Sequence, residues 1–359
     1  MTKPVLVEVV QRFASGGLEA LVLELAEQLQ NEYEIHIVSL EGQAPTLIKA
    51  WPRLNQSQVT LHALNKPVGL HGGTVLALRR LCKQLQAEII HSHHIGPLLY
   101  ASAATWGMPL RKLHTEHDEW HLQSGKQRRL TQLGFRLGKI APVADACRVA
   151  EALEPLTQRQ VPAVIYNGID MGRFRPGDRD FARDSLGLCA ERSQWIGCAA
   201  RLVPEKGLEH LLQAMVRLPG RVGLAIAGDG PLRESLVRQI HELDLESRVV
   251  MCGRLDAIET FYQALDLFCL PSLKEGFPMS LLEAQACGIP VVATRTGATA
   301  EAVCPYSGTL VEQGCSEALS DAIAIGLQRA AGQKPRNFIY QRGNAVRMAR
   351  QYRDLMEAL

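Results

Sequence analysis

Glu275 and Glu283 bracket a glycine–phenylalanine–proline turn in the run Pro271-Ser272-Leu273-Lys274-Glu275-Gly276-Phe277-Pro278-Met279-Ser280-Leu281-Leu282-Glu283-Ala284. The apolar stretch Leu267–Leu270 before it reads as a strand, and the pattern after it reads as a helix. Pro278 is expected in the first helical turn, where a missing N–H costs nothing. The amides of Met279, Ser280 and Leu281 then face outward from the positive end of a helix dipole, which suits an anion. Gly288 caps this helix and Pro290 opens the next strand. Carboxylates are poor phosphate ligands but good acceptors for sugar hydroxyls. The combination suits a molecule that carries a diphosphate between two sugars.

Two cations form a second element. Arg201 and Lys206 lie where the strand-like run Trp195–Ala200 gives way to the helical pattern Leu208–Val216. Ligands of open α/β sheets bind outside the carboxyl ends of strands, so both are candidates for the same diphosphate. Gly228-Asp229-Gly230-Pro231 opens like a dinucleotide fingerprint, but Arg233 stands where the third glycine belongs. Nearer the start, Gly16-Gly17 follows the run Val5–Val10 and precedes the helical pattern Leu18–Leu29, allowing close backbone approach beside free amides.

Histidines cluster at His91-Ser92-His93-His94 and at His114-Thr115-Glu116-His117-Asp118-Glu119-Trp120-His121. A histidine pair spaced one apart after a strand can also hold a catalytic metal. That chemistry needs a (β/α)8 barrel with further ligands downstream, whereas His210 and His241 fall in helical pattern. No metal is therefore expected. Hydrogen-bonded structural histidines are the plainer reading of His91 and His94. Asp178-Arg179-Asp180 has the spacing of a metal–diphosphate motif but lacks a strand leading into it, so it reads as solvated loop.

Elements that position these residues alternate between short β-rich runs and amphipathic helices, the mark of a parallel sheet covered on both faces. Strands are predicted at Tyr33–Ser39, Glu88–His91, Val222–Ala227 and Val249–Cys252. Helices are predicted at Leu76–Leu85, Leu232–Leu243 and Ala257–Leu265. With 359 residues and 47% hydrophobic content, two doubly wound domains fit better than one. The join falls near Ile165–Phe181, where Asn167-Gly168 and Pro176-Gly177 punctuate a polar connection. Expected domains are 1–165 and 166–337, followed by a basic amphipathic helix at 338–359 whose pattern fits either one, packing back on the N-terminal domain being the candidate.

Taken together, Arg201…Lys206, Gly228-Asp-Gly, and Glu275-Gly-Phe-Pro…Glu283-Ala resemble the retaining glycosyltransferases of family 4, which have the GT-B fold. Asn167-Gly-Ile-Asp170…Phe174, Gly16-Gly17 and the histidine-rich strand end are similar too, so the likeness runs from Val5 to about Gly308. The resemblance implies an α/β chain of two Rossmann-like doubly wound domains facing an interdomain cleft. It implies an N-terminal acceptor domain and a C-terminal nucleotide-sugar domain. Arg201 and Lys206 would hold the donor diphosphate, Glu275 the transferred sugar and Glu283 the ribose. The base would lie near Gly253-Arg254-Leu255. His117 would be the acceptor-side histidine nearest the sugar, with His114 the second choice and Gly16-Gly17 bordering the donor phosphate. One departure is Gly297-Ala298, where the family often has two glycines. The implied co-substrate is a nucleotide diphosphate sugar, UDP-linked rather than GDP-linked, with no other cofactor. The implied acceptor is a glycan or lipid-linked glycan of lipopolysaccharide, capsule or exopolysaccharide. A sugar-nucleotide epimerase of the same fold is the alternative; a histidine-rich metal-dependent hydrolase ranks below it.

Composition narrows the classes. A formal charge of +2 argues against an obligate nucleic-acid binder. Nine cysteines, scattered singly and without C-x-x-C pairs, read as thiols packed in a reducing, cytoplasmic setting; Cys198, Cys252, Cys269 and Cys287 lie in apolar surroundings. The apolar run in Met1–Val10 is interrupted by Glu8 and reads as a first strand rather than a signal peptide. Residues 120–144 hold no acid but carry Lys126, Arg128, Arg129, Arg136 and Lys139 among leucines, a candidate surface for anionic membrane at the inner face of the cytoplasmic membrane.

Overall fold

Strand sequences such as VLVEVV and VGLAIA are apolar on both faces, and each is buried almost throughout. The computed structural model describes residues 3–14, 16–55, 57–157, 162–188, 192–329 and 332–359. It divides the chain into two units, the first running to Gly168 and including Ala345–Leu359, the second being Ile169–Asn344.

Unit 1 is a seven-stranded parallel sheet of β1 (Val5–Val10), β2 (Glu34–Ser39), β3 (Thr60–Ala63), β4 (Ile89–His93), β5 (Arg111–Glu116), β6 (Ala141–Ala144) and β7 (Ala163–Val164). Their spatial order is β3-β2-β1-β4-β5-β6-β7. Unit 2 is a six-stranded parallel sheet of β8 (Gln194–Ala199), β9 (Val222–Ala227), β10 (Val249–Gly253), β11 (Leu267–Leu270), β12 (Val291–Thr294) and β13 (Thr309–Val311), in the order β10-β9-β8-β11-β12-β13. The order reverses between β1 and β4 in one sheet and between β8 and β11 in the other. Chain connections leave in opposite directions at such a point and open a crevice at the strands' carboxyl ends. These are two Rossmann-like doubly wound units.

Helix faces follow the apolar spacing. Leu208, Leu211, Leu212 and Met215 of helix Leu208–Arg217 pack on Ile196, Leu224 and Ile226 of the unit 2 sheet. In unit 1, Leu78 and Cys82 of helix Gly72–Gln84 join Val7, Val9, Val38 and Ile90. Among the cysteines, Cys198, Cys269 and Cys287 are buried while Cys252 is half-buried; burial pushes the Cys198 thiol up to about 12 and the Cys252 thiol up to about 11.

Three local expectations need correction. The stretch 338–359 is not one helix: Gln333–Arg342 ends at Gly343 and lies in unit 2, and Ala345–Ala358 begins anew in unit 1. The Asp178-Arg179-Asp180 segment is not open loop, because the Asp178 side chain accepts from the amides of Asp180 and Phe181 and caps helix Arg179–Ser185. Pro278 precedes its helix as the N-cap residue rather than entering its first turn.

Helix Ala345–Ala358 buries Met348, Tyr352 and Met356, a stripe at four-residue spacing. The Arg111 guanidinium donates to the Met356 carbonyl at 3.2 Å, and Arg353 pairs with Glu32 at 3.5 Å. Unit 1 thus draws part of its core from a segment that follows all of unit 2 in the chain. Met356→Ala should cost unit 1 about 2–5 kcal/mol, read as a lower urea midpoint for that unit. A change confined to unit 2 would show that the helix is not part of this core.

Candidate functional site

Lys206 and Glu275 meet beside the switch point of unit 2. Lys206 Nζ lies 2.6 Å from Glu275 Oε1, and the Ser272 hydroxyl donates to the same oxygen at 2.6 Å. A carboxylate this deeply buried has to be paired, and here one oxygen takes both donors. Its other oxygen has no partner among the described residues.

Close backbone approach makes this meeting possible. The amide of Leu273 donates to the Glu205 carbonyl at 2.8 Å, tying the loop after β11 to the loop after β8. At Gly207, with φ +59°, a Cβ would stand 2.4 Å from the Pro271 carbonyl oxygen, so only glycine fits. Gly297, with φ +50°, brings the loop after β12 against Glu275, where a Cβ would stand 1.9 Å from the carbonyl oxygen. Ala298 has φ −93°, which suits any residue, and its amide donates to the Gly276 carbonyl at 3.1 Å. A second glycine is not needed there.

Helix Met279–Ala286 begins at this turn, and among the described residues the amides of Met279, Ser280 and Leu281 have no backbone acceptor. They present the unpaired donors of a helix N-terminus to the loop that holds Lys206. Arg201 is exposed, and no side-chain partner is found for it among the described residues. Its neighbour Leu202 is pinned to the loop after β9 by hydrogen bonds with Asp229 and Leu232. The Gly228 amide donates to Gly253 at 2.7 Å, which carries the same stitching to Gly253-Arg254-Leu255. Glu283 accepts from the buried Tyr262 hydroxyl at 2.6 Å. Burial first, then the Glu283 charge, push that phenol well above its ordinary range, so it stays a donor.

Unit 1 carries a different cluster at its own switch point. Glu8, paired with His91 across β1 and β4, is fully buried. Its carboxylate receives His93 Nε2 at 2.9 Å and His91 Nδ1 at 3.2 Å. Burial alone would raise Glu8, but the two histidines outweigh it and hold the carboxyl at about 2. Burial and His91 push His93 down to about 3. His93 Nδ1 meets His117 Nε2 at 3.0 Å, and His117 Nδ1 meets Asp145 Oδ2 at 3.3 Å. Burial, His93 and His94 push His117 well below the usual histidine range.

A second group centres on Glu116. His121 donates from Nδ1 to Asp118 at 2.7 Å, while its Nε2 stands 3.4 Å from Glu116. His114 Nε2 stands 3.5 Å from the same Glu116 oxygen, and His94 lies 3.8 Å from both Glu116 and Asp118. The contacts of His114 and His121 with Glu116 fall short of hydrogen-bond geometry. Against the effect of burial, Asp118 and Glu116 raise His121 to about 10. His94 has φ +66° and ψ 163°, a region that costs a non-glycine residue about 1–3 kcal/mol. Two triplets, Glu8–His91–His93 and His94–Glu116–Asp118, are close enough to hold a metal ion.

The structure therefore gathers Lys206, Glu275, Gly276 and the Met279–Leu281 amides in unit 2, and His117, with His114 in the neighbouring group, in unit 1. Gly16 and Gly17 open helix Gly17–Leu29 after β1. Sequence reasoning passed over Ser272, Tyr262, Asp145 and Tyr352. It read Glu8 only as an interruption, although a single acid inside an apolar strand signals a buried partner.

Known proteins match along both halves. One family model, described as Glycosyltransferase Family 4, matches residues 15–173, and another, described as Glycosyl transferases group 1, matches residues 181–343. D-inositol 3-phosphate glycosyltransferases of Mycobacterium bovis and Mycobacterium tuberculosis are 31% identical over 275 residues, covering 69% of this chain and 56% of theirs. The match thus spans little more than half the length of those curated relatives. Among solved structures, Anabaena HepE in complex with UDP is 22% identical, covers 99% of this chain and 100% of its own, and has a TM-score of 0.84. A glycosyltransferase from Rickettsia africae is 19% identical, covers 100% and 99%, and has a TM-score of 0.85. The lipopolysaccharide outer core galactosyltransferase WaaB is 18% identical, covers 100% of both chains, and has a TM-score of 0.71. These structures share the fold.

The charge balance of unit 1 has a pH signature. His121 is raised by folding, so its contribution is complete below about pH 6.5 and is lost as pH rises toward about 10. His93 is lowered, so its contribution is complete above 6.5 and is lost as pH falls toward about 3. Amide exchange in unit 1 should therefore show a stability maximum near neutrality. His121→Gln should flatten the alkaline side alone. An unchanged alkaline slope in that variant would mean that His121 carries no charge in the fold.

Proposed function

The chain belongs to the family 4 glycosyltransferases of GT-B fold, and from that premise we propose that it moves a sugar from a nucleotide diphosphate sugar to an acceptor hydroxyl with retention at the anomeric carbon. The observation that carries this reading is Lys206 held at 2.6 Å from Glu275 beside the free amides of helix Met279–Ala286. When the bond from the anomeric carbon to the diphosphate breaks, negative charge builds on the departing oxygen. Lys206, Arg201 and the amides stabilise that charge without calling on a metal. The acceptor hydroxyl attacks from the face the diphosphate leaves, and its proton passes to a phosphate oxygen of the leaving group.

Each side chain has a matching task. The unpaired oxygen of Glu275 accepts a hydroxyl of the transferred sugar, and Glu283 accepts from the ribose. The base lies along Gly253-Arg254-Leu255, with a UDP-sugar preferred to a GDP-sugar. Unit 1 supplies the acceptor side through Gly16-Gly17 and His117, and the acceptor belongs to a lipopolysaccharide, capsule or exopolysaccharide glycan.

A membrane-facing surface accompanies this role. Helix Gly125–Gly138 buries Thr131, Gly134 and Phe135 and leaves Leu133 and Leu137 exposed beside Lys126, Arg129 and Arg136. Exposed leucines among cations suit the headgroup region of an anionic bilayer. Among the described residues, no helix is long and apolar enough to cross a membrane.

Lys206→Ala and Glu275→Ala should each lower turnover by about 10²–10³ while circular dichroism shows the fold retained. Near-normal transfer in either variant would sink the assignment. A melting-shift panel of UDP, GDP and their sugars identifies the donor, because a ligand that binds only the folded state raises its apparent stability. Conversion of donor with no acceptor present would favour the epimerase instead. Added magnesium or manganese should leave the rate unchanged. For the membrane surface, co-sedimentation with phosphatidylglycerol vesicles should fall when Leu133 and Leu137 are both changed to Ser, and binding to phosphatidylcholine vesicles should be absent. Equal sedimentation of the variant and wild type would remove that surface from the reading.

A further inference from the structure

Eight polar groups of unit 1, from Tyr352 to Asn167, form one unbroken hydrogen-bonded chain. Tyr352 Oη meets Thr115 Oγ1 at 2.8 Å, and Thr115 Oγ1 meets His91 Nε2 at 2.7 Å. From there the chain runs through Glu8, His93 and His117 to Asp145, whose Oδ2 also accepts from Asn167 Nδ2 at 3.0 Å. An ionised carboxylate only accepts, and a neutral imidazole has one donor and one acceptor nitrogen. Protons along such a chain can be counted.

Glu8 is the fixed point. As a carboxylate it requires N–H from both His91 Nδ1 and His93 Nε2. His93 carries a single proton, already directed at Glu8, so its Nδ1 accepts. The N–H that meets it must be His117 Nε2. A neutral His117 then turns a bare Nδ1 toward Asp145 Oδ2. Both atoms are acceptors, and two facing lone pairs repel. Thr115 imposes no such demand at the other end, since a hydroxyl either donates or accepts.

We propose that Glu8, acting through His93, fixes the ring proton of His117 on Nε2, and that His117 and Asp145 hold one further proton between them. Glu8 and His93 are then positioning residues for His117. Groups facing the His117 ring are His93 from β4, His94 after it, His114 and Glu116 from β5, and Asp145 beyond β6. Both ring nitrogens of His117 are committed within the protein. Under the transfer reading proposed above, the His117 ring takes no proton from the acceptor hydroxyl. The proton count itself does not depend on that reading.

The opposite assignment exists and is distinguishable. A divalent metal on Glu8 Oε2, His91 Nδ1 and His93 Nε2 would strip the protons from those nitrogens. His93 Nδ1–H would then donate to His117 Nε2, and His117 Nδ1–H would donate to Asp145 with no extra proton. One measurement on the wild-type chain decides between them. Histidine-selective ¹⁵N labelling with two-bond ¹⁵N–¹H correlation reads the tautomer of each ring. His117 and His93 should both show the Nε2–H pattern, and metal analysis of the purified chain should find less than one zinc per chain even after incubation with zinc chloride and desalting. A Nδ1–H pattern at His117, or stoichiometric zinc abolished by Glu8→Gln, overturns the proposal. In Asp145→Asn the Nε2–H pattern at His117 should persist, because Glu8 and His93 set it. Its loss in that variant also overturns the proposal. None of these readouts requires turnover, so failure of the donor-site assignment leaves them unaffected.

Discussion

Pairing of Glu275 with Lys206 sets what unit 2 can do. A buried carboxylate cannot be left alone, and a lysine ammonium on a flexible stem does not hold one position unaided. Each remedies the other's defect. Ser272 adds a second donor to the same oxygen, which leaves the remaining oxygen for a ligand and aims two further ammonium protons away from the pair. Such a pair adds little to stability, because desolvation offsets much of the attraction. What it supplies is a cation fixed in place before any ligand arrives.

That fixity depends on backbone, not on side chains. Three loops converge where strand order reverses, and two glycines in left-handed conformation allow the approach. Gly207 lets the β8 loop touch Pro271, and Gly297 lets the β12 loop touch Glu275. A ligand oxygen placed there would meet dipoles and charge that need no rearrangement, the condition under which electrostatic stabilisation of a developing charge is most effective.

Much of this was legible in the sequence for a physical reason. Strands such as Val222–Ala227 and Leu267–Leu270 are short apolar runs closed by glycine or proline, so their limits follow from local chemistry. The Glu275–Glu283 segment was legible because a proline-preceded helix beside two acids is a compact local pattern. Strands β5, β6 and β7 were not, since Arg111–Glu116 reads as polar and Ala163–Val164 is held only by its neighbour. The break at Gly343, after which the chain returns to unit 1, was hidden because amphipathic spacing tells which face is buried but not against what. Tyr262 and Asp145 become visible only when distant segments are brought together, whereas Ser272 bonds Glu275 within its own loop and its type alone did not single it out.

The two switch points show opposite uses of polar burial. In unit 2, the amides of Met279, Ser280 and Leu281 are left without a backbone acceptor among the described residues, beside an ammonium held by Glu275. In unit 1, the groups from Tyr352 through Glu8 to Asp145 spend their hydrogen bonds on one another, and the chain of bonds holds its members to single orientations. A site that binds a charged leaving group needs unfilled capacity. A site that orients a sugar hydroxyl needs rings and carboxylates that do not turn. The same doubly wound architecture carries both arrangements, because its reversal point buries the side chains that the first strand and its new neighbour present: β1 places Glu8 there, whereas β8 places Gly197 and Cys198.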